Sequence, residues 1–328
     1  VFVPTYRGRA AGLALGCLAD ALFGDPRRGH PVALFGSAAM RLERVMYADR
    51  RGAGVAYTGL LVGTVLAATV AADRAAARRG PAWTAGLTAL CTFISLGGTS
   101  LARTGAQMSA PLDATDIAGA RALLPSLCGR DPASLDASGL TRAALESIAE
   151  NTSDAAVAPL LWGMAAGAPG LLVYRAANTL DAMVGYRSAR YERFGWAAAR
   201  FDDLLNYLPA RLSGLLVAAC AMTVDGSAGA ALEAWRRDAR RHPSPNAGVA
   251  EASFAGALGV RLGGPTQYAH RLEIRPTLGD GRTPSVPDLR RAVRLSRAVQ
   301  VGAAAVCSAG ALGLSGVGRT GRRASDRV

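Results

Sequence analysis

Four stretches of the chain, 52–72, 82–102, 155–174 and 298–318, are nearly free of charge, and each approaches the ~20 apolar residues a helix needs to cross hydrocarbon. Two shorter runs, 10–24 (interrupted by Asp20) and 212–224, are weaker candidates. Polar connections fall at 25–51, 103–145 and 225–297, and the chain closes on a basic segment, 319–328. This alternation predicts an all-α, polytopic integral membrane protein, with 1–318 as a single helical membrane domain and 319–328 as a disordered tail. The runs 52–72 and 82–102 predict a helical hairpin that returns the second polar region to the side of the first.

The run after Asp154 does not behave as one crossing. Pro159, GAPG at 167–170 and then LLVYRAANTLDAMVGYR place a turn at GAPG, giving a broken, hairpin-like helix. If its arms are antiparallel, Asp154 lies about 14 residues before the turn and Asp181 about 12 after, each ~20 Å from the tip. The two carboxylates are therefore expected at one level, around a polar site.

Composition sharpens this reading. The chain is 50% hydrophobic and 19% charged with a mean hydropathy of +0.19, too apolar for an ordinary soluble domain of its size. The competing reading is a soluble Ala/Gly-rich helical protein, because Ala and Gly contribute little to membrane insertion. The net charge of +13 comes from arginine alone, as the chain has no lysine. A Walker A phosphate loop, a Schiff-base lysine and a lysine general base are thereby excluded. Arginines flank the apolar runs at Arg50/Arg51, Arg74/Arg78/Arg79, Arg236/Arg237 and Arg319/Arg322/Arg323, as anchors facing an anionic leaflet would. No basic helix or aromatic platform supports nucleic-acid binding. The five cysteines are widely spaced and mostly within apolar runs, so they read as reduced small hydrophobes. His30, His242 and His270 form no metal-ligand pattern with them. VFVPTYRGRA is basic and precedes an apolar run without a small-residue cleavage site, which predicts a retained N-terminus.

Candidate chemistry concentrates at the edges of apolar runs. In ESIAENTSD, Glu146, Glu150 and Asp154 recur at i, i+4, i+8, one helical stripe. In YRAANTLDAM, Arg175, Asn178 and Asp181 recur at i, i+3, i+6, and in FDDLLNYLPARL, Asp202 or Asp203 stands one turn before Asn206, with Arg211 following. Each cluster alone could be a solvated helix end. Together they place costly ionisable groups, ~3 kcal/mol each on insertion scales, at membrane depth. Carboxylates with amides suit Mg²⁺, and arginines make bidentate contacts to phosphate. In RRHPSPNAG, Ser244 or Asn246 can cap a helix starting near Gly248, whose free N–H groups, with Arg240, Arg241 and His242, would favour an anion.

Four blocks, GDPRRGHPVALFG at 24–36, ESIAENTSDAAVAPLLWG at 146–163, YRAANTLDAMVGYRSARYERFGWAAARFDDLLNYLPARL at 174–212 and RRHPSPNAG at 240–248, resemble the adenosylcobinamide-phosphate synthase family. This is an integral membrane enzyme family of cobalamin biosynthesis. The likeness runs from about residue 12 to 270 in the same motif order. It implies an amide ligation joining the free propionate of adenosylcobyric acid to (R)-1-aminopropan-2-ol or its O-phosphate. Activating a carboxyl in water implies ATP and Mg²⁺, although no nucleotide motif is recognisable. On that reading Asp154, Asp181, Asp202 and Asp203 hold the metal, and Glu146 or Glu150 takes the proton of the amine. Asn151, Asn178 and Asn206 complete or orient the shell, Arg175, Arg187 and Arg211 neutralise phosphate, and Ser244, Asn246 and Gly248 hold the aminopropanol phosphate or the nucleotide. Asp25 and His30 of the first block join the substrate-binding set. The resemblance implies a cell-membrane location with the site mouth towards the cytoplasm, where ATP is, and allows contact with other cobamide-synthesis enzymes.

Three readings compete with the ligase. Paired acidic helix motifs also serve membrane transferases that act on diphosphate-linked substrates. A transporter would show an inverted repeat, and none is evident. A non-catalytic scaffold for corrinoid enzymes would tolerate alanine at the acidic clusters.

Overall fold

A computed structural model describes residues 6–26, 29–186, 188–268 and 271–325. Residues 1–5, on which the expectation of a retained N-terminus rests, and Arg187 lie outside the described residues, as do 326–328 of the basic tail. The helices are α1 (Tyr6–Phe23), α2 (Pro31–Met46), α3 (Arg51–Arg79), α4 (Pro81–Ser95), α5 (Gly98–Asp113), α6 (Ile117–Leu123), α7 (Ala137–Thr152), α8 (Ala158–Leu180), α9 (Trp196–Cys220), α10 (Ala228–Asp238) and α11 (Ala247–Leu258). A two-stranded antiparallel hairpin, β1 (Leu262–Tyr268) and β2 (Arg271–Leu278), precedes the last helix, α12 (Val286–Ser325).

The class is all-α; the hairpin is the one sheet among the described residues. Among the described residues, five stretches are long and apolar enough to cross a membrane: Arg51–Arg79, Pro81–Asp113, Ala137–Gly185, Trp196–Val224 and Val286–Leu314. The chain is a multi-pass membrane protein. The run 212–224, weak in sequence, is the end of a longer apolar helix. The connections expected at 103–145 and 225–297 begin and end inside α5 and α12, because helix geometry continues past the last apolar residue. For the same reason α12 stays helical to Ser325, where the sequence reading has a disordered tail from 319; arginine is a good helix former.

By internal contacts the chain divides into two compact units, one of Val1–Leu96, Ala158–Leu205 and Ala303–Val328, the other of Gly97–Val157 and Asn206–Gly302.

In the first unit, α1 and α4 meet through a ladder of small residues. A β-carbon on Gly8, Gly12 or Gly16 would stand 3.1, 2.5 or 2.4 Å from the Cβ of Thr84, Thr88 or Thr92. Glycine at every fourth position lets the backbones approach this closely, the usual device for packing helices where no hydrophobic force acts between them. The break in α8 lies at Gly167 (φ 68°, ψ −147°), within the GAPG segment. Its arms fold back on each other: a β-carbon on Gly163 would stand 3.0 Å from the Leu171 side chain, and Ala158 clusters with Tyr174 and Ala177. The kink frees carbonyls that lipid could not satisfy. Arg9 of α1, almost fully buried, donates to two of them, Met164 O at 3.3 Å and Ala165 O at 3.2 Å. The segment after α8 is anchored by Glu43 of α2, whose Oε1 accepts from Arg190 Nη2 and from the Tyr191 hydroxyl, both at 2.9 Å.

In the second unit, α7 and α11 are buried on nearly every face. The β hairpin slips register between Leu262 and Gly264, where Gly263 and Gly264 adopt φ of 82° and 87°. Only glycine takes such angles freely, and the bulge leaves the Gly263 N–H out of the ladder.

Candidate functional site

The second unit holds Glu146, Glu150, Asn151, Asp154, Asn206, Arg211, Ser244, Asn246 and Gly248 of the sequence-predicted set; the first holds Asp25, His30, Arg175, Asn178, Asp181, Asp202 and Asp203.

The expected stripe Glu146, Glu150, Asp154 does not stay on one continuous α-helix. Helix α7 ends at Thr152, and Ser153–Val157 form a π-helical turn that carries Asp154. Just before it, Thr152 Oγ1 donates to Ile148 O at 2.6 Å and Asn151 Nδ2 to Ser147 O at 2.9 Å. A similar arrangement recurs in the first unit. Thr179 Oγ1 donates to Arg175 O at 2.7 Å, and Asp181 opens a second π-helical turn, Asp181–Gly185. A β-carbon on Gly185 would fall 1.8 Å from Asp181 Oδ1, so any larger residue there would displace that carboxylate. Single π turns inside α-helices are enriched at functional sites; Ser153–Val157 is one, between α7 and α8, whereas Asp181–Gly185 closes α8, and each carries an acid singled out by sequence.

One group of buried charges in the second unit lies on α7 and α11. Glu146 is 1% exposed and bound on both oxygens: Oε2 pairs with the buried Arg130, and Oε1 accepts the Gly263 N–H at 2.7 Å. Glu150, one turn on, is half-buried and lies in the electrostatic field of Arg275, Arg130 and Glu146. Opposite stands Glu251 of α11, fully buried, with Oε1 3.5 Å from Arg275 Nη1 and 3.6 Å from His242 Nε2. Neither of its oxygens has a hydrogen-bond partner among the described residues. Burial, reinforced by the charges of Glu146 and Glu150, pushes its carboxyl well above the usual range, against the opposing pull of Arg275 and Arg130. Glu251, Arg130 and Arg275 escaped the sequence reading. Glu251 had a legible signal, a lone acid inside the apolar run AGVAEASFAGAL; Arg130 and Arg275 had none, because only folding brings them to it.

Beside this cluster the HPSPNAG loop is ordered by its own side chains. Ser244 Oγ accepts the Asn246 and Ala247 N–H groups at 3.3 and 3.2 Å, capping α11, and the Ser244 N–H donates to His242 Nδ1 at 3.1 Å. Arg211 Nη1 donates to Asn246 Oδ1 at 2.8 Å, and its guanidinium lies 3.7 Å from the centre of the Tyr207 ring. Gly248 admits no side chain: a β-carbon would meet Ala239 O at 2.5 Å and His242 Cβ at 2.6 Å.

In the first unit, Asn178 Nδ2 donates to Asp202 Oδ1 at 3.4 Å, and Asp203 lies 3.6 Å from Arg200. His30 caps α2 by accepting the Val32 N–H on Nδ1 at 3.2 Å, and its Nε2 stands 3.7 Å from Asp25. Arg175 lines a small apolar cavity of about 130 Å³ with Val32, Phe35, Val65 and Ile94, and its buried Nε makes no hydrogen bond among the described residues. Among the described residues no three His, Cys, Asp or Glu side chains gather as a metal cage. An all-protein metal site therefore does not fit; Mg²⁺ shared with substrate phosphates needs only one or two carboxylates.

Residues 13–296 match the family described as CobD/Cbib protein. The chain belongs to this family. It is 62% identical over 304 residues to the cobalamin biosynthesis protein CobD of Mycobacterium tuberculosis (strain ATCC 25618 / H37Rv), spanning 93% of this chain and 96% of the relative. To the protein of the same name from Rhodobacter capsulatus it is 44% identical over 294 residues, 88% of this chain and 91% of the relative. With the one from Stutzerimonas stutzeri the identity is 43% over 280 residues, covering 85% and 90%. No solved structure matches the chain significantly. The CobD/Cbib membership carries a role in cobalamin biosynthesis and agrees with the family reached from the four motif blocks.

Proposed function

We propose that this CobD/Cbib protein is an ATP-dependent acid–amine ligase that joins adenosylcobyric acid to (R)-1-aminopropan-2-ol or its O-phosphate, giving adenosylcobinamide or its phosphate. The observation that carries the reading is the buried carboxylate group of Glu146, Glu150 and Glu251 set among Arg130, Arg275 and His242, a place where an ammonium could be held and deprotonated. Family membership supplies the corrinoid context.

The chemistry divides into two steps. A propionate oxygen of the corrinoid attacks the terminal phosphorus of ATP and ADP leaves; the free amine then attacks the acyl carbon and phosphate leaves. Within this scheme Glu146 is committed to Arg130 and Gly263, so it positions. Glu150 is left as the acceptor of the proton the amine sheds. Arg175, Arg187 and Arg211 stay assigned to phosphate neutralisation, and Asn151, Asn178 and Asn206 to orientation. When bound, Mg²⁺ would offset phosphate charge, and one or two of the carboxylates Asp154, Asp181, Asp202 and Asp203 would hold it. The site opens to the cytoplasm in this scheme, where ATP is available.

The test is to incubate membranes carrying the protein with adenosylcobyric acid, each amine in turn, and ATP with Mg²⁺, and to identify the corrinoid product by mass. Product at the mass of adenosylcobinamide or its phosphate is expected with one amine. No ATP-dependent product with either would overturn the assignment. Glu150→Gln is expected to lower turnover at least a hundredfold at neutral pH while the protein stays folded in detergent; turnover within a few-fold of wild type would remove Glu150 from the role.

A further inference from the structure

The missing phosphate loop raises the question of where a nucleotide could sit in a chain without lysine. In the second unit a cavity of about 660 Å³ opens between the middle of the apolar helix α9, the basic end of α10 and the HPSPNAG loop. Its lining includes Tyr207, Arg211, Trp235, Arg236, Arg240 and His242 and contains no acid.

The arginines of WRRDARR divide into two pairs. Arg237 clasps the buried Asp238 with two hydrogen bonds of 3.0 and 2.9 Å and reaches Asp280 at 2.8 Å, and Arg241 lies 3.4 Å from Asp238. Those two hold the loop to the β2 end. Arg236 and Arg240 are exposed, face the cavity and make no ion pair among the described residues. Like charges four residues apart on a helical face repel each other unless an anion lies between them. Arg211 completes a set of three guanidinium groups, fixed in place by Asn246 and the Tyr207 ring.

The geometry points to this cavity as a nucleoside di- or triphosphate site, with Arg211, Arg236 and Arg240 on the phosphates and the Trp235 and Tyr207 rings against the base. Three planar donors match the bidentate geometry of a polyphosphate better than a single phosphate needs. The volume falls within the ~300–1,000 Å³ typical of nucleotide-sized ligands, and a three-carbon amino alcohol phosphate would leave most of it empty. Stacking on an aromatic ring gives base affinity without a sequence motif. The inference rests on the ligase reading only in expecting a phosphorylated co-substrate. Because the same guanidinium groups would also take an anionic lipid headgroup, the test separates the two sources.

Binding of ATP, ADP, AMP and inorganic phosphate to the full chain is measured by calorimetry, in detergent and in nanodiscs of phosphatidylcholine or phosphatidylglycerol. Expected are binding of ATP and ADP well above AMP and phosphate, persistence in both lipids, and a loss of at least tenfold in the double variant Arg236→Gln/Arg240→Gln. Arg74→Gln, at an exposed position of α3, should leave binding unchanged. Absence of ATP binding, unaltered affinity in the double variant, or loss of binding in phosphatidylglycerol alone would overturn the site. Nucleotide binding without corrinoid turnover would sink the ligase reading and leave this site standing; turnover with an unaltered KM for ATP in the double variant would do the reverse.

Discussion

Glu146 Oε1 stands 2.7 Å from the backbone nitrogen of Gly263, so a carboxylate that sequence offers as a catalytic base is held by a bulged strand. With Arg130 on its other oxygen, Glu146 is the centre of a buried, fully engaged pair. Removing one partner of such a pair costs about 3–5 kcal/mol, because the other charge stays buried and uncompensated. Glu146→Gln should lower the melting temperature in detergent sharply, whereas Glu150→Gln should melt close to wild type. Equal melting of Glu146→Gln and wild type would show that the pair contributes nothing.

Glu251 gives a pH signature with a defined sign. Its folded carboxyl titrates above the ordinary value of 4.5, which the unfolded chain retains. Its contribution to stability is therefore full below pH 4.5 and is lost as pH rises through the folded pKa. Glu251→Gln does not titrate, so it should gain stability relative to wild type from about pH 4.5 up to the folded pKa and level off above it. Thermal melts at a series of pH values check this; a difference independent of pH would remove the burial argument.

The α1 and α4 contact predicts intolerance at Gly12. A β-carbon there would meet Thr88 Cβ at 2.5 Å and Ala85 O at 2.6 Å, and the second of these is backbone and cannot swing away. Gly12→Val should destabilise by about 1–3 kcal/mol or more, as overpacking does. Gly52, which has open space around its Cβ position, should accept alanine without loss. Protease resistance of the two variants in detergent makes the comparison.

Arg9 predicts a cost of a different kind. Arg9→Leu preserves apolar bulk but leaves the Met164 and Ala165 carbonyls at the kink without their donor. Each buried group left unsatisfied costs about 1–3 kcal/mol. Hydrogen exchange of the amides around Gly167 should accelerate in this variant, and unchanged exchange would show that the kink holds without Arg9.

The sequence by itself determined the class, the apolar helices and the broken α8, since these follow from run length, charge spacing and the GAPG segment, all local properties. It also placed Asp154 and Asp181 among the functional candidates, and each proved to sit in a π-helical turn. Only the tertiary structure decided what the acids touch. Arg130 reaches Glu146 from outside α7, and Arg275 reaches Glu251 from a strand whose pattern carried no role. The split of WRRDARR into acid-bound and cavity-facing arginines likewise depends on where Asp238 and Asp280 lie in space. The physical reason is common to all of these. Helix period and chain hydrophobicity are written in adjacent residues, whereas the pairing of a buried charge is set by whichever partner folding brings within a few ångströms, and no spacing in the sequence records it.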